Sequence, residues 1–135
     1  MKFFTSYKQA HEELQLPGSW QRGTIGSLST GLSSIKLTAN PKSFDRISPD
    51  LKTVYYVGRG KKDSPGEPVK SQEAFEQQVF YTSLHSRNPV AVLSKLKTGI
   101  VVFLGYYTVK SIRLVPQKGI EYFQITLVFK QYGKE

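Results

Sequence analysis

The residues of this sequence best suited to binding chemistry are two adjacent tyrosines that run into a cationic loop. The stretch Thr53–Lys62 reads TVYYVGRGKK, so a β-prone run carries Tyr55 and Tyr56 up to the loop GRGKK. Flat aromatic rings therefore stand at the edge of a flexible, positively charged segment. Nineteen Lys and Arg against ten Asp and Glu give a formal net charge of +9 and a pI near 9.8. This balance favours a polyanionic partner, with nucleic acid as the first candidate.

Groups for catalysis are scarce. The chain has no Cys, which excludes thiolate zinc sites, disulfides and cysteine nucleophiles. His11 and His85 fall on separate predicted helices without metal-ligand spacing, and we expect both to be surface or partly packed residues. Asp45, Asp50 and Asp63 could hold magnesium in a nuclease, but the usual pattern of a strand-borne acid plus Lys is not visible. GRGKK also lacks the spacing of a Walker phosphate loop, so a binding module without cofactor or metal is the better hypothesis.

The length of 135 residues fits one domain, residues 1–135. The N-terminus MKFFTSYKQAHEELQ turns polar at once, unlike a signal peptide. The longest apolar run, GIVVFLGYYTV, is too short for a membrane span and fits a pair of strands or one bent strand. We therefore expect a soluble, cytoplasmic protein with no membrane partner.

Two helices and about six strands are predicted around these residues. Thr5 caps a short helix within residues 1–18. Ser71 caps a second helix, in which Phe75 and Val79, and Phe80 and Leu84, recur at helical spacing. One strand is predicted with Leu32, Ile35 and Leu37 as its apolar positions, a second from KTVYYV, and the others from four β-branched and aromatic runs after the second helix. Residues 40–50 and 58–70 are expected to be loops. The predicted class is α+β: a small, curved, mostly antiparallel sheet or partial barrel with one helix packed against it and a short N-terminal helix.

The order of motifs in the chain resembles the SRA (SET and RING associated) domain, a PUA-like fold that reads modified cytosine in DNA. The motifs are GTIGSLSTGLSSIKLTA, then YVGRG, a basic loop, a polar helix, PVAV, FLGYYTV and a closing aromatic strand, over Gly23–Lys130. One departure is that the family's Tyr-Asp-Gly is Phe103-Leu104-Gly105 here, although Gly105, Tyr107 and Val109 keep their places. The resemblance implies a distant prokaryotic relative of the kind attached to modification-dependent restriction enzymes.

SRA domains flip the modified base out of the duplex and stack it between aromatic rings. The resemblance makes Tyr56 the stacking ring at the end of its strand and Phe44 the opposite wall, with Val57 beside them. This implied role explains the tyrosines at the edge of the cationic loop, since stacking on a base helps to offset the cost of extrusion.

A carboxylate in an SRA pocket accepts a hydrogen bond from the cytosine amino group. Asp45 lies nearest to the position of that acid, with Asp50 as the alternative, because the loop does not reproduce the family's Gly-Gly-Tyr and acidic run. By the same resemblance, Ala39 and Asn40 line the pocket floor.

The cationic loop occupies the place of the family's groove-probing finger, and the segment around Trp20 could form an opposing thumb. Phosphate contacts of this kind give sequence-independent, salt-dependent affinity. The implied contacts to the DNA backbone and groove are Arg22, Ser27, Lys42, Arg59, Lys61, Lys62 and Lys70.

Each assignment has a simpler alternative. Tyr55 and Tyr56 point to opposite faces of a strand, so one of them is expected in the core and only the other can stack on a base. Trp20 would equally cap the core, Phe44 would plug the barrel mouth, and Asp45 would cap a turn.

The resulting hypothesis is a DNA-binding module for double-stranded, modified DNA that carries 5-methylcytosine or 5-hydroxymethylcytosine. Any nuclease would lie on a fused or associated chain. The alternatives are a PUA-like reader of RNA, methyladenine or phosphorothioate DNA, and a small metal-dependent nuclease.

Overall fold

The computed structural model describes residues 2–16, 24–37, 45–57, 71–117 and 120–133, without side-chain placement at 24–25, 71–77, 115–117 and 120–122. Its elements, in chain order, are β1 (Lys2–Phe4), α1 (Tyr7–Glu13), β2 (Thr24–Ser27), β3 (Gly31–Leu37), β4 (Arg46–Ile47), β5 (Thr53–Val57), α2 (Ser71–Ser86), β6 (Val90–Lys97), β7 (Ile100–Gln117) and β8 (Ile120–Gln131). Two helices and a strand-rich remainder confirm the predicted α+β class.

The strands form one mixed sheet in the order β2-β3-β6-β7-β8-β5-β4, with β1 paired to β7 in addition. β3 and β6 run parallel, and every other pairing is antiparallel. The parallel pair follows from connectivity, since the chain from β3 to β6 includes α2, and parallel neighbours need such a crossover. The predicted mostly antiparallel sheet is therefore confirmed.

α2 covers one face of this sheet, which we call the inner face. It packs on β2, β3 and β7, where Val79 and Phe80 are buried as their helical spacing predicts. The apolar positions predicted for β3, Leu32, Ile35 and Leu37, are buried in the same core.

The second face carries a smaller core beneath α1. On β6 and β7 the side chains alternate between the two cores, because successive strand residues point to opposite faces. The buried residues of this second core are Phe4, Ala10, Ala91, Leu93, Val101, Phe103 and Tyr106.

The prediction at the N-terminus is wrong in two details. A strand, β1, precedes the helix and pairs with β7, which three residues of sequence could not indicate. The N-cap is Ser6, whose side chain accepts a hydrogen bond from the Gln9 amide at 3.1 Å, and not Thr5. Thr5 instead donates its own amide and hydroxyl to the Gln9 side chain, so both residues fix the start of the helix.

The predicted count of about six strands is also too low, since the described residues contain eight. β4 is a two-residue strand within the segment predicted to be loop, and it pairs with β5. The apolar run around Phe103 is one bent strand, which was one of the two predicted possibilities. The irregular part of this strand lies around Gly105, where φ is +127°. The register shifts between Phe103 and Gly105 against β6, and between Tyr106 and Tyr107 against β8.

Candidate nucleic-acid interface

The hydrogen bond between Asp45 and Val57 organises the candidate base pocket. Asp45 precedes β4, and its Oδ1 accepts a hydrogen bond from the Val57 amide at 3.0 Å. β4 and β5 pair as an antiparallel hairpin, so the start of β4 lies beside the end of β5. Both residues are half-buried. The sequence-predicted acid is thus brought to the end of the tyrosine strand.

The pairing of β5 with β8 decides which tyrosine faces the core. Tyr56 lies opposite Ile125, which is fully buried, and is itself 7% exposed. Its ring meets Phe80 of α2 edge to face, with centroids 6.4 Å apart and planes at 87°. Tyr55 lies opposite Thr126 on the other face and is half-buried. Tyr56, which the resemblance places in the pocket, is therefore the tyrosine packed in the core, as the simpler alternative has it. Its stacking role stays a prediction.

Asp50, the alternative acid, lies at the opposite end of β5. Its Oδ1 accepts hydrogen bonds from the Ser48 hydroxyl at 2.6 Å and the Lys52 amide at 3.0 Å. The Ser48 hydrogen bond, followed by that of Lys52, lowers the pKa of this exposed carboxyl. The five residues of β5 put about 13 Å of strand between Asp50 and Val57. Asp50 therefore stabilises the β4–β5 turn, and Asp45 is the acid next to Val57.

Tyr107 ties that turn to the sheet. Its hydroxyl donates to the Leu51 carbonyl, and its ring meets Phe129 edge to face at 5.5 Å. Burial raises the pKa of Tyr107 to about 12, and the neighbouring Tyr132 and Asp50 add to the rise. This tyrosine is a packing residue, as its place in an aromatic strand indicates, and it fixes the hairpin that carries Asp45.

Ser27 is the last residue of β2, directly before the tight turn that leads into β3. Its hydroxyl oxygen accepts a hydrogen bond from the Thr30 amide at 3.1 Å and lies 2.6 Å from the Thr30 hydroxyl. This turn precedes β3, whereas the predicted floor residues Ala39 and Asn40 follow it. The structure thus gives Ser27 a role in the turn, and its predicted phosphate contact stays a prediction.

The remaining predicted site residues lie outside the described residues. They are Arg22, Ala39, Asn40, Lys42, Phe44, Arg59, Lys61, Lys62 and Lys70. Trp20 and Asp63 also lie there.

Two polar residues beside Val57, Gln124 and Arg113, were not singled out in the sequence. Val57, Gln124 and Arg113 lie opposite one another on three adjacent strands, and the Arg113 Nε donates to the Gln124 Oε1 at 2.9 Å. Arg113 is exposed. The signal was available, because alternation in EYFQITLVFK puts Gln124 and Thr126 on the face away from the core.

His11 is buried at 4% exposure, deeper than predicted, while His85 is exposed as expected. The His11 Nε2 lies 3.1 Å from the Ser34 hydroxyl, and its Nδ1 has no hydrogen-bond partner among the described residues. Burial lowers the pKa of His11, and the nearby Lys36 lowers it further. The pair joins α1 to β3.

Metal chemistry finds no support in the part of the chain that is described. No group of three or more His, Cys, Asp or Glu side chains comes together there in a way that could hold a metal ion. Asp45 and Asp50 lie at opposite ends of β5 and so do not share a site. Among the described helices, none is long and apolar enough to span a membrane.

The mixed sheet, with α2 on its inner face, has the fold of the SRA domain. The structure of the SUVH5 SRA domain with methylated CHH DNA matches with a TM-score of 0.68 and 17% identity, over 93% of this chain and 84% of that one. The same domain bound to fully hydroxymethylated CG DNA gives 0.68 and 20% identity, over 96% and 89%. The resemblance read from the sequence is confirmed at the level of the fold.

A restriction enzyme shares this fold. The modification-dependent restriction endonuclease TagI matches with a TM-score of 0.72 and 19% identity, over 98% of this chain and 49% of the TagI chain. This chain therefore spans about half the length of TagI. No protein-family model matches the sequence, and no curated protein does.

Proposed function

We propose that this chain is a DNA-binding module of one SRA-like domain that recognises 5-methylcytosine or 5-hydroxymethylcytosine in double-stranded DNA. The base is extruded from the duplex and enters a pocket at the end of β5, beside Tyr56, Val57 and Asp45. The solved SRA neighbours bound to methylated and hydroxymethylated DNA support this target.

The observation that carries the proposal is the hydrogen bond from the Val57 amide to Asp45. It fixes a carboxylate beside the end of the strand whose inner face carries Tyr56. A carboxylate is an acceptor and suits the exocyclic amino group of cytosine, which is a donor. A half-buried acid held by a backbone amide is also oriented before any ligand arrives.

Extrusion requires a few kcal/mol for unpairing and unstacking. Stacking on an aromatic ring contributes roughly 1–3 kcal/mol per base, and hydrogen bonds to a charged group contribute about 1.5–3 kcal/mol each. One ring and one carboxylate together are thus of the size needed to offset the cost of extrusion. The affinity that remains comes from phosphate contacts of a protein with a net charge of +9.

The chain itself has no role in cleavage in this proposal. TagI is a restriction endonuclease, and the segment similar to this chain is about half of it. We therefore assign the present chain to recognition and place any nuclease on another domain or chain, in a prokaryotic cytoplasm where the DNA target lies.

The experiment is a fluorescence-anisotropy titration at fixed, near-physiological salt. Three duplexes of one sequence carry cytosine, 5-methylcytosine or 5-hydroxymethylcytosine at a single site, and matched RNA is a fourth probe. We expect a preference of at least about tenfold for a modified duplex, equivalent to roughly 1.4 kcal/mol. Equal affinity for the three DNA probes would refute the proposal, and tighter binding of RNA would favour an RNA reader.

The salt dependence of binding distinguishes contacts in the pocket from contacts of the basic surface. Lys61→Ala combined with Lys62→Ala is expected to weaken modified and unmodified binding alike, and to reduce the slope of log K against log salt by about 1.8. A loss confined to the modified duplex would place these lysines in base recognition instead.

A further inference from the structure

The hairpin of β7 and β8 runs past the end of β5. The described part of β5 ends at Val57, which lies opposite Gln124, and Gln124 lies opposite Arg113. Beyond this row, β7 and β8 continue as a pair as far as Gln117 and Ile120. Among the described residues, the hairpin therefore extends beyond β5 at the end of the sheet where Asp45 and Val57 meet.

Leu114 lies on the inner side of this hairpin. It is opposite Phe123, and Phe123 shares a face of β8 with Ile125, the partner of Tyr56. Phe123 is 9% exposed, whereas Leu114 is 47% exposed. The two strand spacings and two residue steps between them put Leu114 about 12 Å from Tyr56. A large apolar side chain is thus left open to solvent one row beyond the pocket tyrosine.

The opposite side of the hairpin is cationic and held in place. Arg113 is exposed on the outer face, and its hydrogen bond to Gln124 fixes the direction of its guanidinium group. Single exposed leucines are ordinary on protein surfaces. The position of this one is informative, because it lies on the same face of the sheet as Tyr56. The adjacent Arg113 carries N–H donors suited to phosphate.

We propose that Leu114 is a specificity-determining contact for the extruded nucleotide, and that Arg113 contacts a neighbouring phosphate from the other face of the hairpin. This inference rests on the proposed function. A base against Tyr56 leaves its deoxyribose at the mouth of the pocket, where the isobutyl group of Leu114 removes the sugar's apolar edge from water. A nucleotide that stays in the duplex does not reach this inner face, so Leu114 distinguishes flipped from stacked nucleotides.

The test compares Leu114→Ala, Arg113→Ala and the wild-type chain on duplexes with cytosine or 5-methylcytosine. Leu28→Ala is the matched control, since Leu28 is 55% exposed but lies in the turn before β3, at the opposite end of that strand from the predicted pocket residues. Leu114→Gln keeps the length of the side chain and provides a second variant. Urea midpoints of all variants establish that each is folded.

We expect Leu114→Ala to weaken binding of the modified duplex about five- to tenfold, the scale of a partly buried isobutyl group, and to change unmodified binding less than about twofold. Arg113→Ala should weaken both duplexes alike and lower the salt slope by about 0.9. The inference is overturned, and the proposed function is not, if the wild-type chain prefers modified DNA and both Leu114 variants keep that preference as Leu28→Ala does. A wild-type chain without preference would overturn the proposed function, and the inference with it.

Discussion

Asp45→Asn is the substitution that examines the candidate pocket most closely. The Asp45 Oδ1 accepts from the Val57 amide at 3.0 Å, and Asn can keep this bond through its amide oxygen. Its second polar atom is then an NH2 donor, which faces the donating amino group of the proposed cytosine. If the amide turns over, the Val57 hydrogen bond is lost instead. Either orientation removes one acceptor while the shape of the side chain is conserved.

The expected magnitude follows from this geometry. A hydrogen bond to a charged acceptor contributes about 1.5–3 kcal/mol, so affinity for the 5-methylcytosine duplex should fall roughly 10- to 150-fold. Unmodified binding, which depends on phosphate contacts, should change less than about twofold. The fold should be retained, since losing one hydrogen bond to a charged acceptor costs about 1.5–3 kcal/mol, less than the roughly 5–15 kcal/mol by which domains are typically stable.

Asp50→Asn is the matched control for anisotropy titrations on both duplexes. It makes the same chemical change at the exposed turn carboxylate at the other end of β5. We expect it to leave the preference for modified DNA intact. Equal losses on both duplexes for Asp45→Asn, or the same small effect for both variants, would refute the role of Asp45 in reading the base.

Three further predictions concern the ring and the frame around the pocket. Tyr56→Leu, which keeps apolar volume in the core, should lower the affinity for modified DNA about 5- to 150-fold and leave the affinity for unmodified DNA unchanged. Tyr56→Phe should retain the preference for modified DNA. Equal affinities of Tyr56→Leu and Tyr56→Phe for modified DNA in anisotropy titrations would contradict the stacking role of the ring. Gly105→Ala should lower the free energy of unfolding by about 2 kcal/mol or more, since φ is +127° there and an added Cβ would lie 2.7 Å from the Phe129 ring. Gly99→Ala, at φ +84° with open space around it, should lower it by about 1 kcal/mol. Equal losses for the two variants in urea unfolding would contradict the steric argument. Because burial lowers the pKa of His11, the unfolded chain takes up a proton at higher pH than the folded chain, and stability should fall as pH drops below about 6.5. The urea midpoint should therefore fall less with decreasing pH in His11→Gln than in His85→Gln. An equally steep fall in both variants would show that His11 is not the cause.

Local patterns in the sequence were sufficient for the longer elements. The apolar positions of β3 and the spacing of Val79 and Phe80 predicted the core correctly, because each follows from the period of a single strand or helix. β1 and β4, with three and two residues, carry no period of their own and exist through pairing with β7 and β5.

The pocket could be predicted only in part. Alternation showed that one of Tyr55 and Tyr56 faces inward, but the choice depends on the register with β8, which is a tertiary fact. The bond between Asp45 and Val57 likewise needs the β4–β5 hairpin to bring residues twelve apart together. The structure therefore supplies the contact of Asp45 with Val57, and the role of Asp45 as the pocket acid stays a prediction.

Extrusion of the base can be followed directly with 2-aminopurine placed next to the target cytosine. The fluorescence of this probe is measured as protein binds the duplex. We expect a rise in fluorescence when wild-type protein binds the 5-methylcytosine duplex, because the probe loses a stacking neighbour. At saturating protein, Tyr56→Leu should give a smaller rise. Saturated binding of the modified duplex without a rise would show that the base stays in the helix and would contradict the account.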